Sequence, residues 1–210
     1  MKTILCYGDS NTYGYNPLDS GRYSKEIRWT TILQHLLGKQ YEVIDEGLNG
    51  RTTAFDVPDG GAYKNGLTPI KTILGSHKPM DYLIIMLGTN DCNKQLKLSA
   101  KDIAEGMEKL IVKAIEDLEY LQGYIPKIII VTPAAIADNF ESSPFIDQLD
   151  QNAVNKSRAL APLYKELADK YNLLYLDNTN AEVSPLDSEH LTIKSHVELA
   201  NKLADLIKYN

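Results

Sequence analysis

The chain has few of the residues that build disulfide frameworks, zinc sites or basic binding surfaces. Of 210 residues only two are cysteines, and neither Cys6 nor Cys92 lies in a C-x-x-C pair or near a His-rich tract. We therefore expect both cysteines to be structural and expect no metal and no cofactor. There is no run of Lys and Arg, and 28 acidic against 22 basic residues give a formal net charge of -6. This balance argues against nucleic acid and anionic membranes as partners.

Long apolar stretches are also missing. No stretch reaches the roughly 18 residues of a membrane span, and the apolar run at 4–7 is too short for the core of a signal peptide. These absences predict a cytoplasmic protein. The chain shows no linker, repeat or low-complexity segment, so we expect one domain spanning residues 1–210.

Short apolar runs alternate with helix-length amphipathic segments along the whole chain. This pattern is typical of an α/β fold in which a parallel sheet is covered by helices on both faces. The predicted strands are residues 3–7, 41–45, 82–87, 127–132 and 173–177. The predicted helices are residues 29–37, 100–121, 151–171 and 192–208, the second of them starting at a capping box of Ser99 and Asp102.

Small, polar and titratable residues follow the predicted strands. Gly8-Asp9-Ser10-Asn11 follows the first strand, residues 47–52 the second and residues 88–91 the third, and the loop after the fifth ends in residues 187–190. Ligands of open parallel sheets bind beyond the carboxyl ends of the strands, so these groups are expected to converge. The segment 133–150 is predicted to be a long loop, and loops of this length often contribute to a functional site.

The converging residues include every part needed for ester hydrolysis by a serine. Ser10 can present a hydroxyl at the sheet edge, and Asp187 lies three residues before His190, so the carboxylate can hold the imidazole. Gly50 can offer a backbone N–H and Asn90 an amide to an oxyanion. Each signal is weak alone, because such sequences are usually turns, caps or solvated pairs. Their occurrence together and in order favours one site.

Through these four blocks the sequence resembles the SGNH, or GDSL-type, hydrolase family over essentially the whole chain. The resemblance implies a three-layer α/β/α sandwich with a five-stranded, flavodoxin-like sheet. It also implies that Ser10 is the nucleophile, His190 the base and Asp187 its orienting carboxylate. The Ser10 N–H, the Gly50 N–H and the Asn90 side chain would then form the oxyanion hole.

Further stretches resemble the bacterial arylesterase and acyltransferase branch of this family. They are Arg28-Trp29-Thr30, Glu46-Gly47-Leu48, Arg51-Thr52-Thr53, Asn65-Gly66 and residues 81–91. Asn11 stands where the family name implies Leu, which we interpret as the loss of an apolar packing group with no effect on the chemistry. Tyr13 and Tyr15 stand where the branch tends to carry tryptophans, a difference that bears on the acyl pocket and on transesterification.

The expected function is hydrolysis of short-chain acetyl or aryl esters through an acyl-enzyme on Ser10. Tyr15, Pro133 and Leu191 are the candidate walls of the substrate pocket, and Asp9 and Asp91 are interpreted as structural partners of the turns. His190 must be neutral to accept a proton, so activity should rise through its pKa, about 6.5 if unperturbed. The partner is a small-molecule ester, and the relatives suggest a homo-oligomer.

Other interpretations remain open at this stage. The same fold could act on acetylated sugars, or as a lysophospholipase or thioesterase, and could transfer the acyl group to an alcohol. A flavin- or phosphate-binding module is a non-enzymatic alternative, because residues 10–14 also resemble a flavodoxin-type phosphate loop. That alternative leaves Asp187 and His190 unexplained. A catalytically inactive interaction protein is a third possibility, although no catalytic residue is missing.

Overall fold

The computed structural model describes residues 1–58 and 61–210. Its elements, in chain order, are β1 (Lys2–Gly8), α1 (Ser10–Tyr13), β2 (Tyr15–Asn16), β3 (Gly21–Arg22), α2 (Trp29–Leu37), β4 (Tyr41–Gly47), α3 (Ile70–His77), β5 (Tyr82–Met86), α4 (Ala100–Gln122), β6 (Lys127–Thr132), α5 (Gln151–Lys170), β7 (Leu174–Asp177) and α6 (Ile193–Lys208). Five strands form one parallel sheet in the order β4-β1-β5-β6-β7. The predicted α/β fold with a five-stranded parallel sheet is confirmed.

Helices cover both faces of this sheet, because its strands are apolar on both sides. Leu5 and Leu83 contribute to a core shared with α3, α4 and α5. Ile4 and Ile84, their neighbours in the strands, contribute to a second core with α2 and α6. Successive strand residues point to opposite faces, so one run of apolar residues fills both cores.

The order of the strands decides where a site can form. The chain runs from β1 outward to β4 and then crosses back to β5 on the other side of β1. Gly8, the last residue of β1, is paired with Gly47 on one side and Met86 on the other. The loops that leave these three strands therefore start side by side at the point where the strand order reverses.

The predicted helices are found within a few residues of their expected ends. At the start of α4, the Ser99 side chain accepts from the Asp102 N–H and the Asp102 carboxylate accepts from the Ser99 N–H, as the capping box predicted. The predicted loop 133–150 contains only a 3₁₀ turn at Phe140–Ser142. Both cysteines are free and buried, and burial raises the pKa of Cys92, so both act as packing groups.

Besides the short helix α1, two features of the fold were not predicted. One is α3, which has only eight residues and contains Gly75 and Ser76, so its helical pattern is weak. The other is the antiparallel pair β2–β3, whose strands have two residues each. No helix in the described residues is both long enough and apolar enough to cross a membrane.

Candidate active site

Ser10, His190 and Asp187 meet at the carboxyl end of β1. The Ser10 Oγ lies 2.8 Å from Nε2 of His190, and Nδ1 of His190 lies 2.7 Å from Oδ2 of Asp187. All three side chains are buried, and Ser10 is 7% exposed. A hydroxyl, an imidazole and a carboxylate in this order can move the hydroxyl proton to the imidazole.

Ser10 is held by the turn that joins β1 to α1. Asp9 caps this single helical turn, and its Oδ1 accepts from the Asn11 N–H at 2.9 Å. Ser10 is the first residue of α1, so the helix does not use its backbone N–H. Both the hydroxyl and the N–H of Ser10 are therefore available to a ligand at the end of the strand.

The segment that carries His190 is tied to the turn at Ser10 by Asn11. Asn11 Nδ2 donates to the carbonyl of Glu189 at 3.2 Å, and its Oδ1 accepts from the Leu191 N–H at 2.8 Å. The interpretation of Asn11 as the mere loss of an apolar group was wrong. Its amide binds the backbone on both sides of His190 and so positions the imidazole against Ser10.

The two further oxyanion donors predicted from the sequence also reach this point. Gly50 has φ +80°, a left-handed conformation that favours glycine, and it lines the same cavity as Ser10. Asn90 Nδ2 donates to the carbonyl of Arg51 at 3.0 Å and makes a long contact of 3.4 Å with Asp9 Oδ2. An oxyanion could take the place of Asp9 Oδ2 as the second acceptor for Asn90 Nδ2.

Asp9 and Asp91 support the surrounding turns. The Asp91 carboxylate accepts from the N–H and the hydroxyl of Thr53. These bonds join the loop after β5 to the loop after β4. Burial raises the pKa of Asp9 to about 6 and that of Asp91 to about 7. Arg51 donates to the carbonyls of Gly8 and Glu46 and so holds the Gly50 loop against β1.

The profile of the GDSL-like Lipase/Acylhydrolase family matches residues 6–195. This range includes Ser10, Asn90 and His190 and covers most of the chain. The chain belongs to the GDSL-like lipase/acylhydrolase family. The recognition made from the four sequence blocks is therefore confirmed.

Solved structures resemble this GDSL-like chain over its full length. A carbohydrate acetylesterase from Sinorhizobium meliloti has 33% identity and a TM-score of 0.91, with 100% of this chain and 99% of that chain covered. An aryl esterase of M. smegmatis has 31% identity and a TM-score of 0.92, with the same coverage. These likenesses confirm the three-layer α/β/α architecture of the family.

Curated relatives match this chain over a smaller share of its length. An uncharacterized esterase of Bacillus subtilis is 28% identical over 141 residues, which is 67% of this chain and 32% of the relative. The chain thus spans about a third of the length of the curated relatives it matches.

The Ser10 cavity has a volume of about 180 Å³. Of the residues predicted for the site, Ser10, Gly50, Asn90, His190 and Tyr15 line it. The ring of Tyr15 packs against that of His190, with the ring centroids 4.2 Å apart. Tyr15 therefore restrains the imidazole as well as bounding the cavity.

Two predicted pocket walls do not face this cavity. Leu191 is 1% exposed and belongs to the core beneath α2 and α6. Pro133 is buried directly after β6, next to Ala134 in the same core. Both residues are apolar neighbours of site loops, but both are buried: Leu191 packs in the core just before α6, and Pro133 directly follows β6.

Five residues that line the cavity were not predicted as site residues: Asn49, Lys64, Phe145, Gln148 and Glu189. Phe145 and Gln148 come from the long loop 133–150, which was expected to contribute to a site. Glu189 lies inside the Asp-x-x-His block itself. Asn49 belongs to the block 47–52 after the second predicted strand, although it was not named as a site residue. Lys64 ends a short 3₁₀ turn at Ala62–Lys64, and no signal in the sequence marked it.

Charges around His190 decide its protonation. Burial lowers the pKa of His190, but the hydrogen bond to Asp187 and the negative charge of Glu189 outweigh it, and the pKa is raised above 6.5. Burial also raises the pKa of Glu189 to about 7, against the opposing effect of His190. As the pH is lowered, His190 therefore becomes protonated at a higher pH than an unperturbed histidine would. Activity that needs neutral His190 should decline over the same range.

No group of three or more His, Cys, Asp or Glu side chains that could hold a metal ion occurs within residues 1–58 and 61–210. The polar groups at Ser10 instead match the needs of acyl transfer, which are a nucleophile, a base and oxyanion donors.

Proposed function

We propose that this GDSL-like protein is a serine esterase that hydrolyses short-chain carboxylic esters, with residues 1–210 acting as one catalytic domain. The observation that carries the proposal is the pair of contacts at His190. Its Nε2 lies 2.8 Å from Ser10 Oγ, and its Nδ1 lies 2.7 Å from Asp187 Oδ2. Ser10 and His190 both line the cavity.

The reaction follows from these contacts. Ser10 Oγ attacks the carbonyl carbon of the ester while its proton passes to Nε2 of His190, and the charge on the carbonyl oxygen is met by the Ser10 N–H, the Gly50 N–H and Asn90. The tetrahedral intermediate expels the alcohol, which takes the proton from His190. A water molecule, deprotonated by His190, then releases the acid from Ser10.

Asp187 holds His190 in the orientation that these reaction steps require. Its Oδ2 accepts from Nδ1, so Nε2 is left free to receive the Ser10 proton, and it stabilises the imidazolium that forms. Its Oδ1 accepts from the N–H groups of Glu189 and His190, which fixes the carboxylate.

The size of the cavity supports a short acyl group. Its volume is about 180 Å³, and Tyr15 and Phe145, with ring centroids 6.2 Å apart, close one side of it. A long fatty chain would need a wider apolar channel, which argues against a lysophospholipase. Transfer of the acyl group to an alcohol, cytoplasmic location and homo-oligomerisation stay predictions.

The solved structures that this chain resembles support the same reaction class, since they include an aryl esterase and a carbohydrate acetylesterase. The flavin-binding alternative does not account for the contacts among Ser10, His190 and Asp187. These contacts favour an enzyme over a binding module.

The proposal is tested by hydrolysis of p-nitrophenyl acetate, butyrate and octanoate by the wild type and by Ser10→Ala. We expect acetate to be cleaved fastest and Ser10→Ala to be inactive while still folded by circular dichroism. The matched control is Ser76→Ala, because Ser76 lies on the exposed side of α3. Equal activity of Ser10→Ala and the wild type would refute Ser10 as the nucleophile.

A further inference from the structure

The side chain of Lys64 lies over Gly50, the glycine whose N–H belongs to the oxyanion hole of the proposed function. A Cβ atom at Gly50 would lie 2.8 Å from the Lys64 Nζ and 3.0 Å from its Cδ. The Gly50 nitrogen is two bonds from this Cβ position, so the ammonium lies no more than about 5 Å from that nitrogen. Lys64 therefore brings a full positive charge to the side of the cavity where the carbonyl oxygen of the ester is expected.

Backbone hydrogen bonds hold Lys64 beside the Gly50 loop. The Thr52 N–H donates to the Lys64 carbonyl at 3.0 Å, and Thr52 forms a parallel β-bridge with Asn65. The Gly66 N–H donates to the Thr52 carbonyl at 3.2 Å. These bonds join the backbone around Lys64 to the residues that directly follow Gly50. The base of the lysine side chain is thus fixed relative to the oxyanion hole.

The charge of Lys64 faces the contents of the site. Lys64 and Gly50 both line the Ser10 cavity and a neighbouring cavity of about 340 Å³, and the lysine is half-buried. None of the ion pairs found within residues 1–58 and 61–210 involves Lys64. Among these residues, therefore, no carboxylate forms an ion pair with the ammonium that would offset its effect on a bound ester.

The other charges of the site oppose formation of an oxyanion. Three carboxyl groups lie close enough to His190 to act on its charge. They belong to Glu189, Asp187 and Asp9. Attack by Ser10 creates a negative charge on the carbonyl oxygen, and like charges repel strongly in a partly buried site. Neutral N–H and amide donors offset this repulsion only in part, whereas an ammonium adds a full positive charge.

We propose that Lys64 is a further catalytic residue, whose ammonium stabilises the oxyanion beside the Gly50 N–H. This inference rests on the proposed esterase function, because it places the ester carbonyl at Ser10. When Ser10 Oγ bonds to the carbonyl carbon, an electron pair moves to the carbonyl oxygen and the Ser10 proton passes to Nε2 of His190. Lys64 keeps its own protons throughout. Its charge stabilises the oxyanion more than the neutral ester, so the barrier to attack is lowered.

The test compares Lys64→Met and Lys64→Arg in the hydrolysis of p-nitrophenyl acetate, a neutral ester. Methionine keeps most of the apolar stem and removes the charge, so kcat should fall about tenfold while KM changes little. The loss should be smaller than for a buried oxyanion donor, because solvent and salt screen a half-exposed ammonium. Lys64→Arg keeps the charge and should retain most of the activity. An unchanged kcat in Lys64→Met, or an equal loss in Lys64→Arg, would overturn the inference.

Ionic strength provides a readout that a purely structural role would not change. Added salt screens the ammonium, so it should lower kcat of the wild type towards that of Lys64→Met, whose own kcat should depend less on salt. The matched control is Lys39→Met, because Lys39 is exposed in the turn before β4, at the opposite end of the sheet. It should keep both the wild-type kcat and the wild-type salt dependence. Equal salt dependence of the wild type and Lys64→Met counts against the inference.

Inhibition by methylboronic acid measures the same charge without turnover. Ser10 Oγ bonds to the trigonal boron while its proton passes to His190, and the boron becomes a tetrahedral anion that resembles the reaction intermediate. The inhibition constant should rise about tenfold in Lys64→Met and stay at the wild-type value in Lys39→Met. An unchanged constant in Lys64→Met would refute the role of Lys64 while ester hydrolysis itself still stands. If Ser10→Ala retained full esterase activity, the proposed function would fail instead.

Discussion

Two sets of polar side chains lie in or beside the Ser10 cavity, and they differ in how they are held. The buried set includes Ser10, His190, Asp187 and Asn11, whose side chains have hydrogen-bond partners within the protein. The exposed set includes Gln95 and Gln148, whose side chains are held by contacts between two loops. Both sets have partners in the folded protein, but only the second is open to solvent.

The difference indicates how work is divided within the site. Buried hydrogen-bonded groups keep a fixed geometry, and fixed geometry at the reacting atoms contributes most to the rate of the chemical step. Exposed amides are not constrained by burial in this way. Substitutions in the buried set should therefore reduce turnover for every ester, whereas substitutions of Gln95 and Gln148 should have much smaller effects.

The largest effect is expected for Asp187→Asn. The amide keeps the size of the side chain but presents a donor to Nδ1, so His190 loses the orientation and charge that it needs, and kcat should fall on the order of 10⁴-fold. Turnover of p-nitrophenyl acetate measures this loss. Asp169→Asn, on the exposed end of α5, is the control and should keep full activity. A loss below tenfold would remove Asp187 from the mechanism.

Asn90→Ala should have the next largest effect. It removes one oxyanion donor, a change that typically costs about 10²- to 10³-fold in kcat, while KM should change little. Steady-state kinetics and a thermal melt separate this loss from unfolding. Asn155→Ala, at an exposed position of α5, provides the comparison. Wild-type turnover in Asn90→Ala would exclude this amide from the oxyanion hole.

Asn11→Leu tests whether a residue that touches no substrate still belongs to the buried set. The leucine leaves the buried Leu191 N–H without an acceptor, which should cost about 1–3 kcal/mol in the free energy of unfolding. Loss of the anchor of His190 should lower kcat about ten- to a hundredfold. Urea denaturation and kinetics measure both. Asn201→Leu, at an exposed position of α6, is the control. If its losses of stability and kcat equalled those of Asn11→Leu, the anchoring role would be wrong.

Glu189→Gln should have the smallest effect, a displacement of the pH profile. The negative charge of Glu189 raises the pKa of His190, so its removal lowers that pKa. The acid limb of kcat/KM should therefore move to lower pH, because His190 stays neutral further into the acid range. Glu141→Gln, at an exposed loop position, should leave the limb in place. A shift of the limb to higher pH would contradict this electrostatic assignment.

Features with a local signal could be predicted from the sequence. Most of the five strands are rich in apolar residues, and α4 begins at a capping box, so both were found within a few residues. The contact between Ser10 and His190 also followed from the sequence, because each lies in a polar block beside a predicted strand or helix. The order of strands then brings these blocks together.

Features that depend on distant partners could not be predicted. Asn11 was misinterpreted because its partners, Glu189 and Leu191, lie 178 and 180 residues away. Lys64 and Gln148 lie outside the long helices and the sheet, and only the folded chain shows that both border one cavity. Leu191 was assigned to the pocket because sequence position does not reveal which way a loop side chain points.

The wide separation of the reacting groups along the chain has a consequence for biosynthesis. Ser10 is translated early, and its partner His190 follows 180 residues later, after all five strands of the sheet have been made. A nascent chain that has folded only its first strands therefore contains a hydroxyl without a base. Esterase activity, followed on the ribosome or during refolding, should appear only when the loop that carries His190 packs against Ser10. The time at which activity appears therefore measures when this loop is in place.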